Sequence, residues 1–131
     1  MSLKYEKSCG AVIFKDELVL LIQNKKSKHW SFPKGHKENN ETDLETAYRE
    51  VLEETSLNIL IDPTKFEVIN YMPAINVSKD VVYFKATYSQ GELIPQESEI
   101  IGIGWFKIED ALQKITFDQE KQVLISILNK K

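Results

Sequence analysis

The stretch TDLETAYREVLEET, residues 42 to 55, constrains the fold more than any other part of the chain, because it specifies a helix both at its start and along its length. Thr42 followed three residues later by Glu45 is a capping-box pattern, in which a hydroxyl and a carboxylate each satisfy a backbone N–H that the first turn leaves without a partner. Behind it Leu44, Ala47, Tyr48, Val51 and Leu52 recur at spacings of three and four, which predicts one apolar side facing a core. Glu50, Glu53 and Glu54 share an arc on the other side.

The segments around this helix read as strands. CGAVIF (9–14) and LVLLIQN (18–24) are β-rich runs separated by KDE, which predicts an antiparallel pair joined by a short turn. Further strands are predicted at 66–72, 80–88 and 100–108. A second capping box, Thr116 with Gln119, predicts a C-terminal helix with Phe117, Leu124, Ile127 and Leu128 as its apolar stripe. Strands in succession with one central and one terminal helix give an α+β layered fold. At 131 residues, 42% of them hydrophobic, the chain has enough apolar material for the core of one domain spanning 1–131.

Composition removes some function classes. The longest apolar runs, 11–14 and 18–22, are too short to cross a bilayer as a helix. Cys9 stands alone, so no internal disulfide is expected, and MSLKYEKSCG lacks the apolar stretch of a secretion signal; a cytoplasmic location follows as the expectation. A net charge of -3 argues against a non-specific nucleic-acid binder, and no stable nucleic-acid partner is expected. A small anionic ligand remains compatible, since local charge matters more than the sum.

Three carboxylates on one helical arc repel one another, each pair costing a few tenths of a kcal/mol. A solvated face could offset this, with Arg49 pairing to Glu45 and Glu53. So could a divalent cation, because Mg²⁺ takes hard oxygen ligands from few carboxylates, waters and substrate phosphates. The wider pattern favours the cation. Residues 35–57 run Gly35, five residues, Glu41, seven residues, Arg49-Glu50-Val51, one residue, Glu53-Glu54, one residue, Ser56-Leu57. This closely resembles the Nudix box, G-x5-E-x7-R-E-U-x-E-E-x-G-U, with U a bulky aliphatic residue. Five charged positions match by accident on the order of once in a million registers.

The resemblance implies a Nudix-type α/β/α sandwich with a mixed sheet between helices, and an Mg²⁺- or Mn²⁺-dependent hydrolase. It implies that Glu50, Glu53 and Glu54 bind metal or take the proton from the attacking water, with the carbonyl of Lys34 as a further ligand. Arg49 would orient a catalytic glutamate and Glu41 would support the site from its edge. A distal metal ligand would come from Glu99, six residues before Trp105, with Glu97 as the competing candidate. Only Ser56 departs from the box, where the family has glycine. A left-handed backbone there costs a residue with a Cβ about 1 to 2 kcal/mol.

Between Asn24 and Lys37 the chain carries Lys25, Lys26, Lys28, Lys34 and Lys37 and no acid. A solvated loop accounts for the first three. Lys34, with His29 and His36, sits where the box begins, and cations there would hold polyphosphate oxygens and absorb charge as it develops. Within the family the chain is most similar to the asymmetric diadenosine tetraphosphate hydrolases, on CGAVIF, HWSFPKGH, DLETAYRE and the pair Asn70-Tyr71. That likeness implies a small nucleotide substrate and a tyrosine at Tyr71 stacked on adenine; a strand aromatic packed in the core is the other reading of Tyr71. Two alternatives stay open. One is a Nudix pyrophosphatase acting on nucleoside triphosphates, nucleotide sugars or RNA 5′ ends; the other is a Nudix-fold module that binds nucleotide without turnover, against which the complete glutamate set argues.

Overall fold

The computed structural model describes residues 2–131. Its centre is β1 (Lys4–Lys15), whose residues are buried on both faces from Ser8 to Ile13. A strand buried on both sides reads as a continuous apolar run, and AVIF is that run. Ala11 and Ile13 pack on one side with Leu20 and Val51, while Val12 packs on the other with Val81, Leu124 and Ile127. The alternation of a strand therefore separates two cores.

On its C-terminal half β1 pairs antiparallel with β2 (Leu18–Asn24), through a tight turn in which Asp16 has φ 54°. On its N-terminal half it pairs with β4 (Lys34–His36), and along most of its length it runs parallel to β6 (Val77–Gln90). β5 (Asn58–Ala74) lies outside β6 as an edge. β3 (Trp30–Ser31) and β7 (Ile100–Lys107) both pair with β2. The sheet is mixed. α1 (Asp43–Thr55) covers one face; α2 (Ile108–Lys114) and α3 (Asp118–Leu128) cover the other, which is the expected α/β/α sandwich.

Several boundaries differ from the sequence reading. β5 is 17 residues long rather than seven, because the chain keeps pairing with β6 across a bulge at 62–66 where Pro63 interrupts the register. α2 has no side-chain cap to announce it. Thr116 is not a cap either: its hydroxyl accepts from the Trp30 N–H at 2.8 Å, Gln119 donates to the Asn70 carbonyl at 3.1 Å, and α3 starts from Phe117 without a side-chain cap. Its buried face is Glu120, Val123, Leu124 and Ile127, leaving Phe117 and Leu128 exposed.

α1 has both bonds of its capping box, but its buried strip is Thr46, Ala47, Val51 and Thr55. Tyr48 and Leu52, expected in the core, are 41% and 51% exposed. The two threonines are tolerated inside because their hydroxyls bond locally, Thr55 to the Val51 carbonyl at 2.6 Å and Thr46 to Glu41 at 2.9 Å. Tyr48 instead reaches the sheet edge, where its hydroxyl accepts from the Ile61 N–H at 3.0 Å. Ser56 closes the helix in the left-handed conformation, φ 65° and ψ 14°.

Candidate active site

Arg49 organises the exposed side of α1. Its Nε and Nη2 grip both oxygens of Glu41 at 2.7 and 2.9 Å, Nη1 donates to Glu50 at 2.9 Å and to Glu53 at 3.3 Å, and Nη2 also donates to the His36 carbonyl at 3.0 Å. A planar fork with five donors suits such a multidentate role. Glu41 is held down at about 2, first by the Arg49 hydrogen bonds and then by the Glu38 N–H. Glu45 takes no part, since its carboxylate is committed to the Thr42 N–H at 2.9 Å.

Glu50 lies directly over Gly35. A Cβ at position 35 would stand 2.0 Å from the Glu50 carboxyl carbon, so any side chain there would push this Arg49-bound carboxylate aside. Burial raises Glu50 from its ordinary value and Arg49 opposes the rise. Glu54 accepts from the Lys34 N–H at 2.9 Å. It is pushed up to about 8, mainly by burial, then by the charge of Glu50, with Glu99 adding to the rise. Glu99 itself is exposed on the strand-free stretch before β7, and its carbonyl accepts from the Lys25 N–H at 2.7 Å. Glu97 is tied in through its own carbonyl, which takes the Lys25 ammonium at 3.3 Å.

This donor set fits a hard divalent cation. Among the described residues no three His, Cys, Asp or Glu side chains enclose an ion by themselves. Glu50 and Glu99 nevertheless lie close enough to Glu54 to raise its proton affinity, and Glu53 shares the Arg49 tether. A few mutually repelling carboxylates, open to waters and phosphate oxygens, match what Mg²⁺-type ions take.

Beside the glutamates opens a cavity of about 570 Å³ on the α3 side of the sheet. His29, Lys34, Glu54 and Tyr71 all line it, so residues from β4, α1, β5 and the loop before β3 meet there. His36 does not line it: the residue is largely exposed on β4, and the partial desolvation of its ring and then the nearby Lys79 lower its proton affinity. Tyr71 packs against the α3-side core and also lines the cavity.

The sequence reading passed over three residues of this region. Phe117, 48% exposed, lines the cavity with its ring edge-on to His29 at 4.6 Å. Glu120 is buried in the cavity wall. Lys79, cross-strand from Tyr71, is 8% exposed and has no ion-pair or hydrogen-bond partner among the described residues; burial and then Lys34 lower its proton affinity. Its stem is buried while its unpaired ammonium keeps access to solvent near Lys34, a placement that suits an anion. Lys79 lies in an ordinary strand, and Phe117 and Glu120 come from the far end of the chain, so no local pattern marks them.

A helix that presents tethered carboxylates beside an aromatic, lysine-bearing cavity belongs to the class of enzymes that hydrolyse phosphoanhydrides. The NUDIX domain family matches residues 4–126, every strand and most of α3, and the chain belongs to that family. It is similar to the asymmetrical bis(5′-nucleosyl)-tetraphosphatases of Rattus norvegicus, 30% identical over 134 residues, and of Mus musculus, 31% over 136, each match covering 90% of both chains. The crystal structure of a C. elegans Ap4A hydrolase binary complex superposes with a TM-score of 0.85 at 25% identity, covering 94% of this chain and 95% of that one. The protein is thus a Nudix pyrophosphohydrolase, and Nudix hydrolases generally use divalent metals. No helix is long and apolar enough to cross a membrane among the described residues.

Proposed function

We propose that the enzyme is an asymmetrical bis(5′-nucleosyl)-tetraphosphatase that cleaves diadenosine tetraphosphate to ATP and AMP. The observation that carries this reading is the single cavity in which Lys34 and Glu54 adjoin the ring systems of His29, Tyr71 and Phe117. A polyphosphate bearing a nucleoside needs that combination, with cations and carboxylates for the chain and flat faces for the base. The likeness to rat and mouse relatives over 90% of both lengths supports the same substrate.

In this reading Glu50, Glu53, Glu54 and the Lys34 carbonyl hold Mg²⁺ or Mn²⁺, with Glu99 as the distal ligand. When bound, the cation neutralises phosphate oxygens and makes a water more acidic. Glu53 or Glu50 takes the proton of the attacking water at a carboxylate oxygen, and Arg49, anchored by Glu41 and the His36 carbonyl, keeps both carboxylates aimed. The ammonium groups of Lys34 and Lys79 hold phosphate oxygens and absorb charge as water adds in line and the bridging P–O bond breaks. Positioning and electrostatics supply most of the rate.

The test is product chromatography after incubating the protein with diadenosine tetraphosphate and Mg²⁺. ATP and AMP in equal amounts are expected. Two molecules of ADP, or no turnover beside brisk hydrolysis of a nucleoside triphosphate or a nucleotide sugar, overturns the substrate assignment.

A further inference from the structure

Glu120 is only 6% exposed and still lines the cavity. A buried carboxylate is retained only where hydrogen bonds replace its hydration. Two are present, from the hydroxyls of Tyr83 and Ser31, and both are given to the same oxygen, Oε2. Tyr83 is fully buried, and its ring packs edge-on against Phe32 at 5.2 Å. Ser31 is fixed in β3, so the donors come from two strands of the sheet and the acceptor from α3. The rotamer of Glu120 is therefore set by the core. Its other oxygen, Oε1, has no hydrogen-bond or ion-pair partner among the described residues.

From this geometry we infer that Glu120 is a specificity-determining residue whose free oxygen accepts a hydrogen bond from the exocyclic amino group of the nucleobase. The inference rests on the reading that the cavity receives the adenosine of a dinucleoside polyphosphate, and it adds the polar contact that selects the base. The ring faces of Tyr71, Phe117 and His29 bind any flat heterocycle, since every base has a π face. An acceptor pinned by the core becomes selective once a base covers it and excludes water. A base with an N–H donor satisfies it, while a base without one strands a buried charge. Glu54 and Lys34 line the same cavity, but in this reading they serve the metal and the phosphate chain, which leaves the base to Glu120.

The network also dictates what an isosteric change does. In Glu120→Gln the Tyr83 and Ser31 hydroxyls still need an acceptor, so the amide oxygen occupies the Oε2 position and the NH₂ group takes the place of Oε1. The shape is kept while the group presented to the base changes from acceptor to donor. The experiment measures binding of AMP and of purine riboside 5′-monophosphate, which lacks the amino group, by titration calorimetry with Mg²⁺ present. The wild-type protein is expected to bind AMP about ten- to a hundredfold more tightly than the purine nucleotide. In Glu120→Gln that ratio is expected to fall to about one or below, with little change in melting temperature. Equal affinities in the wild-type protein overturn the inference, and that comparison needs no variant. An unchanged ratio in Glu120→Gln, or an equal loss for both nucleotides, also overturns it by reducing Glu120 to a packing role. Because monophosphate binding requires no turnover, failure here is separable from failure of the product test, which probes the phosphate chain.

Discussion

Ser56 shows a residue acting against local backbone preference. At φ 65° a Cβ crowds the backbone, and the side-chain compensation among the described residues is a 3.3 Å hydrogen bond from the Ser56 hydroxyl to the Ile94 carbonyl. Relief of the clash, less the extra freedom glycine has in the unfolded chain, leaves Ser56→Gly more stable by up to about 1 kcal/mol. A thermal or urea midpoint should move upward, with kcat unchanged because the side chain touches nothing in the cavity. A lower midpoint would show that the hydroxyl contact outweighs the strain. The departure of this residue from the Nudix box was legible in the sequence together with its backbone consequence, since the left-handed requirement follows from a helix end. Glu120 was not legible. Its meaning depends on Tyr83 and Ser31, 37 and 89 residues away, and nothing near it in the chain distinguishes it from any other helical glutamate.

At the scale of elements, the site is made where α1 lies across β4. The contact works only because position 35 has no side chain, so Gly35→Ala is expected to displace the Glu50 carboxylate and lower kcat by about a hundredfold. KM should change much less, as the aromatic side of the cavity is untouched. Steady-state kinetics decides this, and a variant with wild-type kcat would place the reacting groups away from Glu50. The first helix could be read from its own residues because both halves of its capping box close within one turn. The same motif misled at Thr116, whose hydroxyl is taken by Trp30, 86 residues earlier. Likewise Tyr48 and Leu52 carry helical apolar spacing, yet the strip of α1 buried against the sheet is Thr46, Ala47, Val51 and Thr55, which leaves them half exposed. Local bonding was predictable, whereas competition from distant partners was not.

At the scale of the whole molecule, folding itself depends on charge. Glu41 has a folded-state value of about 2 against an ordinary 4.5, so in the native protein its proton binds less readily than in the unfolded chain. Its stabilising effect is complete above pH 4.5 and is lost as pH falls through about 2. Urea midpoints measured across that window should decline more steeply for the wild-type protein than for Glu41→Gln. Parallel slopes would mean that the Arg49 pairing adds nothing to the native state. Layer order and the position of the glutamate helix followed from periodicity and the box, while the cavity walls needed the sheet to bring β3, β5 and α3 together. That sheet ends in β5, a long edge with apolar side chains such as Phe66 and Val68 still in solvent. Two of its main-chain groups are already occupied, the Ile61 N–H by Tyr48 and the Asn70 carbonyl by Gln119. An incoming foreign strand must first strip those side chains away, so the edge most exposed to fibril templating is blunted by residues borrowed from the two helices that flank it.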